Sequence, residues 1–181
     1  MSKIIILSAG SSFDSLNNKL ANNLSTSFKD TGLESVLFDN LYADIPFLLE
    51  NTNTTPSKII QMRQSFESLE KLIIFSPVFN GGFVSHLKNS LDWLSLSYGN
   101  KKYNELFIEK PVAVISAVKG LGGNAQSAFK LLSLQLSNYG LNVFDEFHLI
   151  TKNQHNNEKN LSNLSEVISN LEKFVYKFLS V

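Results

Sequence analysis

The first apolar block of the chain is Lys3–Ser8 (K-I-I-I-L-S), a continuous β-branched run that suits a strand buried on both faces. After a small polar turn, Ala9–Asp14, the spacing changes. Leu16, Leu20, Leu24 and Phe28 recur four residues apart, which predicts a helix from Ser15, capped by Asp14 or Ser15 and stopped by Gly32. Leu33–Phe38 reads as a second strand. Asp39–Thr55 is long and irregular around Pro46, and Pro56 opens a helix with its apolar stripe at Ile59, Ile60, Met62, Phe66 and Leu69. Leu72–Phe75 is a third buried strand. Ser76–Val84 is punctuated by Pro and Gly, and Ser85 is expected to cap a helix carrying Leu87, Leu91 and Leu94. Tyr98–Lys110 reads as a polar, aromatic loop. Pro111–Ala117 is a fourth strand and Val118–Gly123 a Gly-rich turn; a helix with Phe129, Leu132 and Leu136 then runs to Gly140. Leu141–Ile150 supplies a fifth strand. A polar stretch, Thr151–Lys159, leads into a last helix with apolar positions Leu161, Leu164, Ile168, Leu171, Val175 and Phe178.

Buried strands alternating with helices predict an α/β fold, a parallel sheet with helices on both faces. Five strands favour the doubly wound order 2-1-3-4-5. No internal repeat or linker divides the pattern, so residues 1–181 are expected to form one domain.

Composition narrows the function classes. With 43% hydrophobic and 18% charged residues the chain can bury a core. Sixteen Lys+Arg balance sixteen Asp+Glu, so no basic field exists to gather nucleic acid. No apolar run approaches the ~18–20 residues that cross a bilayer, and the first residues do not read as a signal peptide. A cytoplasmic location without membrane contact is therefore expected. The absence of cysteine removes thiolate catalysis and thiolate-held metals. His86, His148 and His155 share no metal-ligand spacing, and each reads as structural or exposed rather than catalytic. With 24 Ser and 20 Asn, a single serine or asparagine carries little information.

Ligands of such sheets bind outside the C-terminal strand ends, at the switch in strand order. The loops after strands 1, 3 and 4 converge there. Ser8–Asn17 (S-A-G-S-S-F-D-S-L-N) pairs small residues and hydroxyls with a helix N-terminus, a site that attracts phosphate but equally a plain capped turn. It is neither a G-K-[ST] loop nor G-x-G-x-x-G. Ser76–Phe83 (S-P-V-F-N-G-G-F) exposes backbone amides beside aromatics, as a flat ligand would need; Phe83 by itself reads better as core. Val118–Gly123 (V-K-G-L-G-G) implies positive φ or a close approach to backbone, which a tight strand–helix junction also explains.

Taken together these segments resemble the NAD(P)H-dependent FMN reductase family of flavodoxin-like proteins. Pro77, Asn80, Leu87, Lys88, Asn89, Leu91, Asp92 and Trp93 match the family pattern P-E-Y-N-x-x-x-P-x-x-L-K-N-x-[IL]-D-W at the same spacing. Gly120, Gly122 and Gly123 are similar to its S-x-G-G-x-G-G, and Ser15 and Asn17 to the end of its G-S-x-R-x-x-S-x-N. The resemblance runs to about residue 150. The chain departs from the family at Ser12, where the pattern has a phosphate-binding Arg, and at Ala9, Gly10, Val78, Phe79, Val84 and Lys119. An absent charged contact is worth roughly 1.5–3 kcal/mol.

The resemblance implies a flavodoxin-like three-layer sandwich and an oxidoreductase passing hydride from NAD(P)H through bound FMN to a small acceptor, a flavin or quinone. A flavin-binding electron carrier and a non-flavin protein on the same scaffold are the alternatives; carriers of this fold are usually acidic, and this chain is neutral. The implied FMN contacts are Ser11, Ser12, Ser15 and Asn17 at the phosphate, Pro77, Val78, Phe79, Asn80 and Gly81 along the isoalloxazine, and Lys119, Gly120 and Gly122 near its N1/O2 edge. No side chain is assigned a catalytic role and no metal is expected. A homodimer, or a tetramer built from it, is also implied, with Trp93, Tyr98, Tyr103 and Phe107 read as apolar surface beside the flavin.

Overall fold

The protein is described by a computed structural model over residues 3–155 and 161–181. Its elements in chain order are β1 (Ile4–Ser8), α1 (Leu16–Asp30), β2 (Ser35–Phe38), α2 (Ser57–Phe66), β3 (Lys71–Phe75), α3 (Ser85–Ser95), β4 (Pro111–Ala117), α4 (Ala125–Asn138), β5 (Asn142–Ile150), α5 (Lys152–His155) and α6 (Leu161–Leu179). The strands form one parallel sheet in the order β2-β1-β3-β4-β5, the order the pattern predicts. The short α5 has no apolar period to announce it and falls within the stretch read as polar loop, of which residues 156–160 lie outside the described set. The side chains of Leu161 and Leu164 also lie outside it.

Because side chains alternate across a strand, each buried run feeds two cores. Ile5, Leu7, Leu72, Ile74, Val112 and Val114 pack with α2, α3 and α4. Ile4, Ile6, Ile73, Phe75, Ala113 and Ile115 pack with α1 and α6. This is the three-layer sandwich. β5 departs from the buried-strand picture: its first half is exposed or half-buried, as an edge strand with one neighbour must be. Lys71 Nζ donates to the Phe178 and Leu179 carbonyls and ties the start of β3 to the end of α6.

Two expectations are corrected here. Ser85 does not cap α3; it is the first helical residue, and the extended Val84, 2% exposed and held in the core, takes the cap position without a side-chain bond. Trp93 is not surface. It is 2% exposed, sits in the core beside α2, and donates from Nε1 to the Pro46 carbonyl at 2.8 Å. Phe107 is fully buried against Phe66 and Tyr139, and Tyr98 lies under the Arg63 guanidinium at 4.4 Å. Of the proposed surface aromatics, only Tyr103 is largely exposed.

Candidate functional site

The sheet reverses its strand order at β1, so the chain leaves β1 toward β2 and returns to β3 on the other side. A crevice above β1 and β3 is the consequence. Backbone pairing continues past the strands there: Ala9 N–H donates to the Phe75 carbonyl (2.8 Å) and Ser76 N–H to the Ile115 carbonyl (2.9 Å). The loops after β1, β3 and β4 thus start from one bonded edge.

The first loop is internally tied. Ser8 Oγ donates to Asn18 Oδ1 (2.6 Å), Asn18 Nδ2 donates to the Ser12 carbonyl (2.8 Å), and Ser15 Oγ accepts from Asn18 N–H (3.2 Å) as the cap of α1. A Cβ on Gly10 would lie 1.9 Å from Ser15 Oγ, so the loop closes only around a glycine. The Ser15 hydroxyl keeps its proton for another acceptor. The first-turn N–H groups of Leu16 and Asn17 have no acceptor inside the helix, and Ser11 and Ser12 are exposed beside them.

Asn17 is the residue whose expected role changes. Its side chain accepts from Ala117 N–H (3.0 Å) and donates to the Ala117 carbonyl (2.9 Å). It completes the backbone pairing at the end of β4, so its side-chain amide is committed to Ala117 and its backbone N–H is the group left for a ligand. Asn18, which the sequence reading left aside, organises the loop instead. Only the adjacent pair of asparagines in the first turn of a helix hints at this.

The second loop is a miniature hairpin. Phe79 and Gly82 exchange both backbone bonds at 2.9 Å, and the intervening Asn80 (φ 50°) and Gly81 (φ 77°) both adopt the left-handed region. Asn-Gly is the pair that such a turn favours. Its tip presents amides to solvent, and Phe79 stands half exposed beside them. A Cβ on Gly81 would lie 3.7 Å from Asn124 Cβ, which places this tip against the start of α4. Below it, Pro77, Val78, Phe83 and Ser116 line a cavity of about 10 Å³, room for about one water, where the buried Ser116 Oγ has no protein partner. Phe83 packs against the core, as expected.

In the third loop Gly122 has φ 81°, and a Cβ there would press on Leu149 Cδ2 at 2.8 Å. Lys119 and Gly120 are exposed, and nothing lies within 4 Å of where Gly120 or Gly123 would carry a Cβ. The loop is pinned from below by Lys152 N–H on the Gly120 carbonyl and leaves its upper face open.

Helix α3 joins these loops to the scaffold. His86 Nε2 lies 2.8 Å from the Ala9 carbonyl, which makes that nitrogen the protonated one, and the ring meets Tyr42 edge-on. Asn89 donates to the Pro46 carbonyl (3.0 Å) and accepts from Leu48 N–H (2.9 Å), clamping the long loop after β2. Asp92 takes both Lys88 Nζ contacts (2.6 and 2.7 Å) and the Tyr139 hydroxyl (2.5 Å); burial, then this carboxylate, push the Tyr139 phenol upward. His148, stacked on Phe174, has its pKa lowered by burial. Among the described residues no group of His, Asp and Glu is arranged to hold a metal, and no helix is long and apolar enough to cross a membrane.

With the geometry in hand, the chain can be set beside known proteins. No curated protein matches it. Among solved structures, FerB, a flavoenzyme NAD(P)H:(acceptor) oxidoreductase from Paracoccus denitrificans, superposes with a TM-score of 0.79 at 21% identity, covering 99% of this chain and 96% of that one. An FMN-dependent NADH-azoreductase from Bacillus anthracis, solved with FMN, gives 0.65 at 18% identity over 98% and 99% of the two chains. An apo NADH:FMN oxidoreductase gives 0.67 at 15% identity, covering 100% and 90%. These likenesses bear on the fold. The family model described as NADPH-dependent FMN reductase matches residues 2–156, and the chain belongs to that family.

Proposed function

We propose that residues 1–181 form one FMN-binding domain that oxidises NAD(P)H and passes the electrons to a small acceptor such as a flavin or a quinone. The observation that carries this reading is the convergence of three loops with unpaired donors at the switch between β1 and β3. Their chemistry fits the flavin. Neutral hydroxyls and helix-terminal amides at Ser11, Ser12, Ser15, Leu16 and Asn17 suit a phosphate. The Pro77–Gly81 hairpin offers a flat edge with amides at its tip. The open face of Lys119, Gly120 and Gly122 offers N–H groups, and one cation, where negative charge develops on reduction.

FMN, when bound, would supply the hydride-transfer chemistry between NAD(P)H and the acceptor. The protein's part is placement. Asn18 and His86 hold the first loop in shape, and Asn17 locks that loop to the end of β4, so phosphate and ring sites keep a constant spacing. No acid–base side chain is needed at the ring.

The test is a titration of the purified protein with FMN and riboflavin, followed by steady-state oxidation of NADH and NADPH with a quinone. Binding of FMN in preference to riboflavin, with turnover of at least one nicotinamide, is expected. FMN binding without nicotinamide turnover would make the protein an electron carrier, and no flavin binding would end both readings.

A homodimer belongs to the same reading. Its support is no longer Trp93 but Leu131 and Leu134, exposed together on α4, whose N-terminus borders the flavin site. Light scattering across a hundredfold dilution is expected to show twice the 20.2 kDa chain mass. A steady monomer mass with flavin bound would remove it.

A further inference from the structure

Beside α1's first turn lies a groove of about 440 Å³ that shares Leu16 with the proposed phosphate site but holds none of the side chains assigned to FMN. Phe13, Asp14, Lys19, Asn22, Asn23 and Asp39 line it. It opens between the outer face of α1 and the C-terminal end of β2, since Asp39 is the residue that follows that strand. Four features define what it can hold. Phe13 is 73% exposed, an aromatic face with nothing on it. Asp39 is half-buried; its carbonyl takes Lys58 Nζ (3.2 Å), while its carboxylate makes no hydrogen bond or ion pair among the described residues. Asn23 adds an exposed amide, Asn22 Nδ2 is already bonded to the Asn18 carbonyl (2.9 Å), and Lys19 is a cation without an ion pair among the described residues.

We infer that this groove takes the adenosine end of the nicotinamide co-substrate and that Asp39 selects NADH over NADPH. This rests on the function proposed above. A carboxylate at the C-terminal end of the second strand is placed to accept both hydroxyls of an unmodified ribose, as in other doubly wound nucleotide sites. The same carboxylate repels a 2′-phosphate, while the nearby Lys58 ammonium is held by the Asp39 and Asn40 carbonyls. The adenine has Phe13 as a stacking surface and the Asn23 amide for its edge. Lys19, one turn into α1, supplies charge for the bridging diphosphate. The span also fits. The ring site lies over β3 and β4, two to three interstrand spacings from β2, about 10–14 Å, the reach of an extended dinucleotide. Asp14, on the rim, adds to the negative side of the groove and so acts in the same direction as Asp39.

The inference can be tested apart from turnover. Calorimetric titrations would use ADP-ribose and its 2′-phosphate form with FMN-loaded wild type, Asp39→Asn and Phe13→Ala. Wild type is expected to bind ADP-ribose about tenfold more tightly than the phosphorylated form, the size of one charged contact at a part-exposed site. Asp39→Asn should narrow that ratio to within about threefold without changing FMN affinity, and Phe13→Ala should weaken both ligands. Steady-state KM values for NADH and NADPH should follow the same pattern. Equal affinities in wild type, or a ratio that Asp39→Asn leaves alone, would overturn the assignment. Should ADP-ribose bind as expected while neither nicotinamide is oxidised, the groove stands and the enzymatic reading fails. If NADH is oxidised and Asp39→Asn is silent, the reverse holds.

Discussion

Helix α3 and the loop before α1 touch at His86 and Ala9, yet their polar side chains are committed to different things. In α3, the polar residues that carry most of the family resemblance face protein. Asn89 grips the Pro46–Leu48 backbone, Trp93 bonds Pro46, and Asp92 gathers Lys88 and Tyr139. In the first loop, Asn17, Asn18 and Ser8 are likewise consumed inside the protein, but Ser11, Ser12 and the first-turn amides stay outward. Along α3 the polar residues that match the family pattern serve the scaffold, whereas in the first loop the chain departs from the pattern at the exposed Ser12. Matching residues in a motif can therefore identify a protein through its packing rather than through its chemistry.

The strongest way to break that contrast is Trp93→Ala. The side chain fills the core between α2 and α3 and holds Pro46, so its removal should cost about 3–5 kcal/mol of stability in urea unfolding. NADH oxidation per folded molecule should change little. A stable variant with lost activity would put Trp93 in the active site and undo the distinction.

Asn89→Ala is the next in size. It strands the Leu48 N–H while Pro46 keeps its bond from Trp93, so about 1–3 kcal/mol is expected. The loss should be local. Limited proteolysis ought to cut within residues 39–55, where Phe47 and Leu49 already stand exposed. Uniform loss of hydrogen-exchange protection across the sheet would instead make Asn89 a core residue.

How much of this was legible in the sequence follows from what each residue contacts. The strand runs Ile4–Ser8, Lys71–Phe75 and Pro111–Ala117 are buried on both faces, and continuous apolarity reports that directly. The three candidate loops stood out because glycines, hydroxyls and a helix start are local features. The scaffold bonds of Asn17, Asn18 and His86 were not legible, because their partners Ala117, Ser12 and Ala9 are brought to them only by the fold. Trp93 was misplaced for a related reason. An aromatic beyond the expected stripe reads as surface until the long loop after β2 is seen to cover it. The groove at Asp39 joins two elements through space and leaves no spacing to read.

On the loop side, Ser12→Arg sharpens the contrast. Ser12 is exposed at the mouth of the helix-terminal donors, so a guanidinium there should tighten FMN about tenfold at low salt. The gain should shrink as salt rises, because an accessible charge is screened, and riboflavin affinity should not change. Unchanged FMN affinity at low ionic strength would mean position 12 faces away from the phosphate.

The smallest effect belongs to the scaffold again, at His148. Its ring is stacked on Phe174 with centroids 5.1 Å apart, between β5 and α6, and burial lowers its pKa from the ordinary 6.5. The unfolded chain therefore takes up a proton near pH 6.5 that the folded protein refuses until the pH is lower. Stability from the neutral ring is fully present above pH 6.5 and is lost progressively as the pH falls from there through the depressed folded value. His148→Phe keeps the aromatic stack and removes the proton site. Urea unfolding at pH 7 and pH 5 should thus show wild type losing more stability than the variant over that interval. Equal losses in the two proteins would show that His148 titrates alike folded and unfolded.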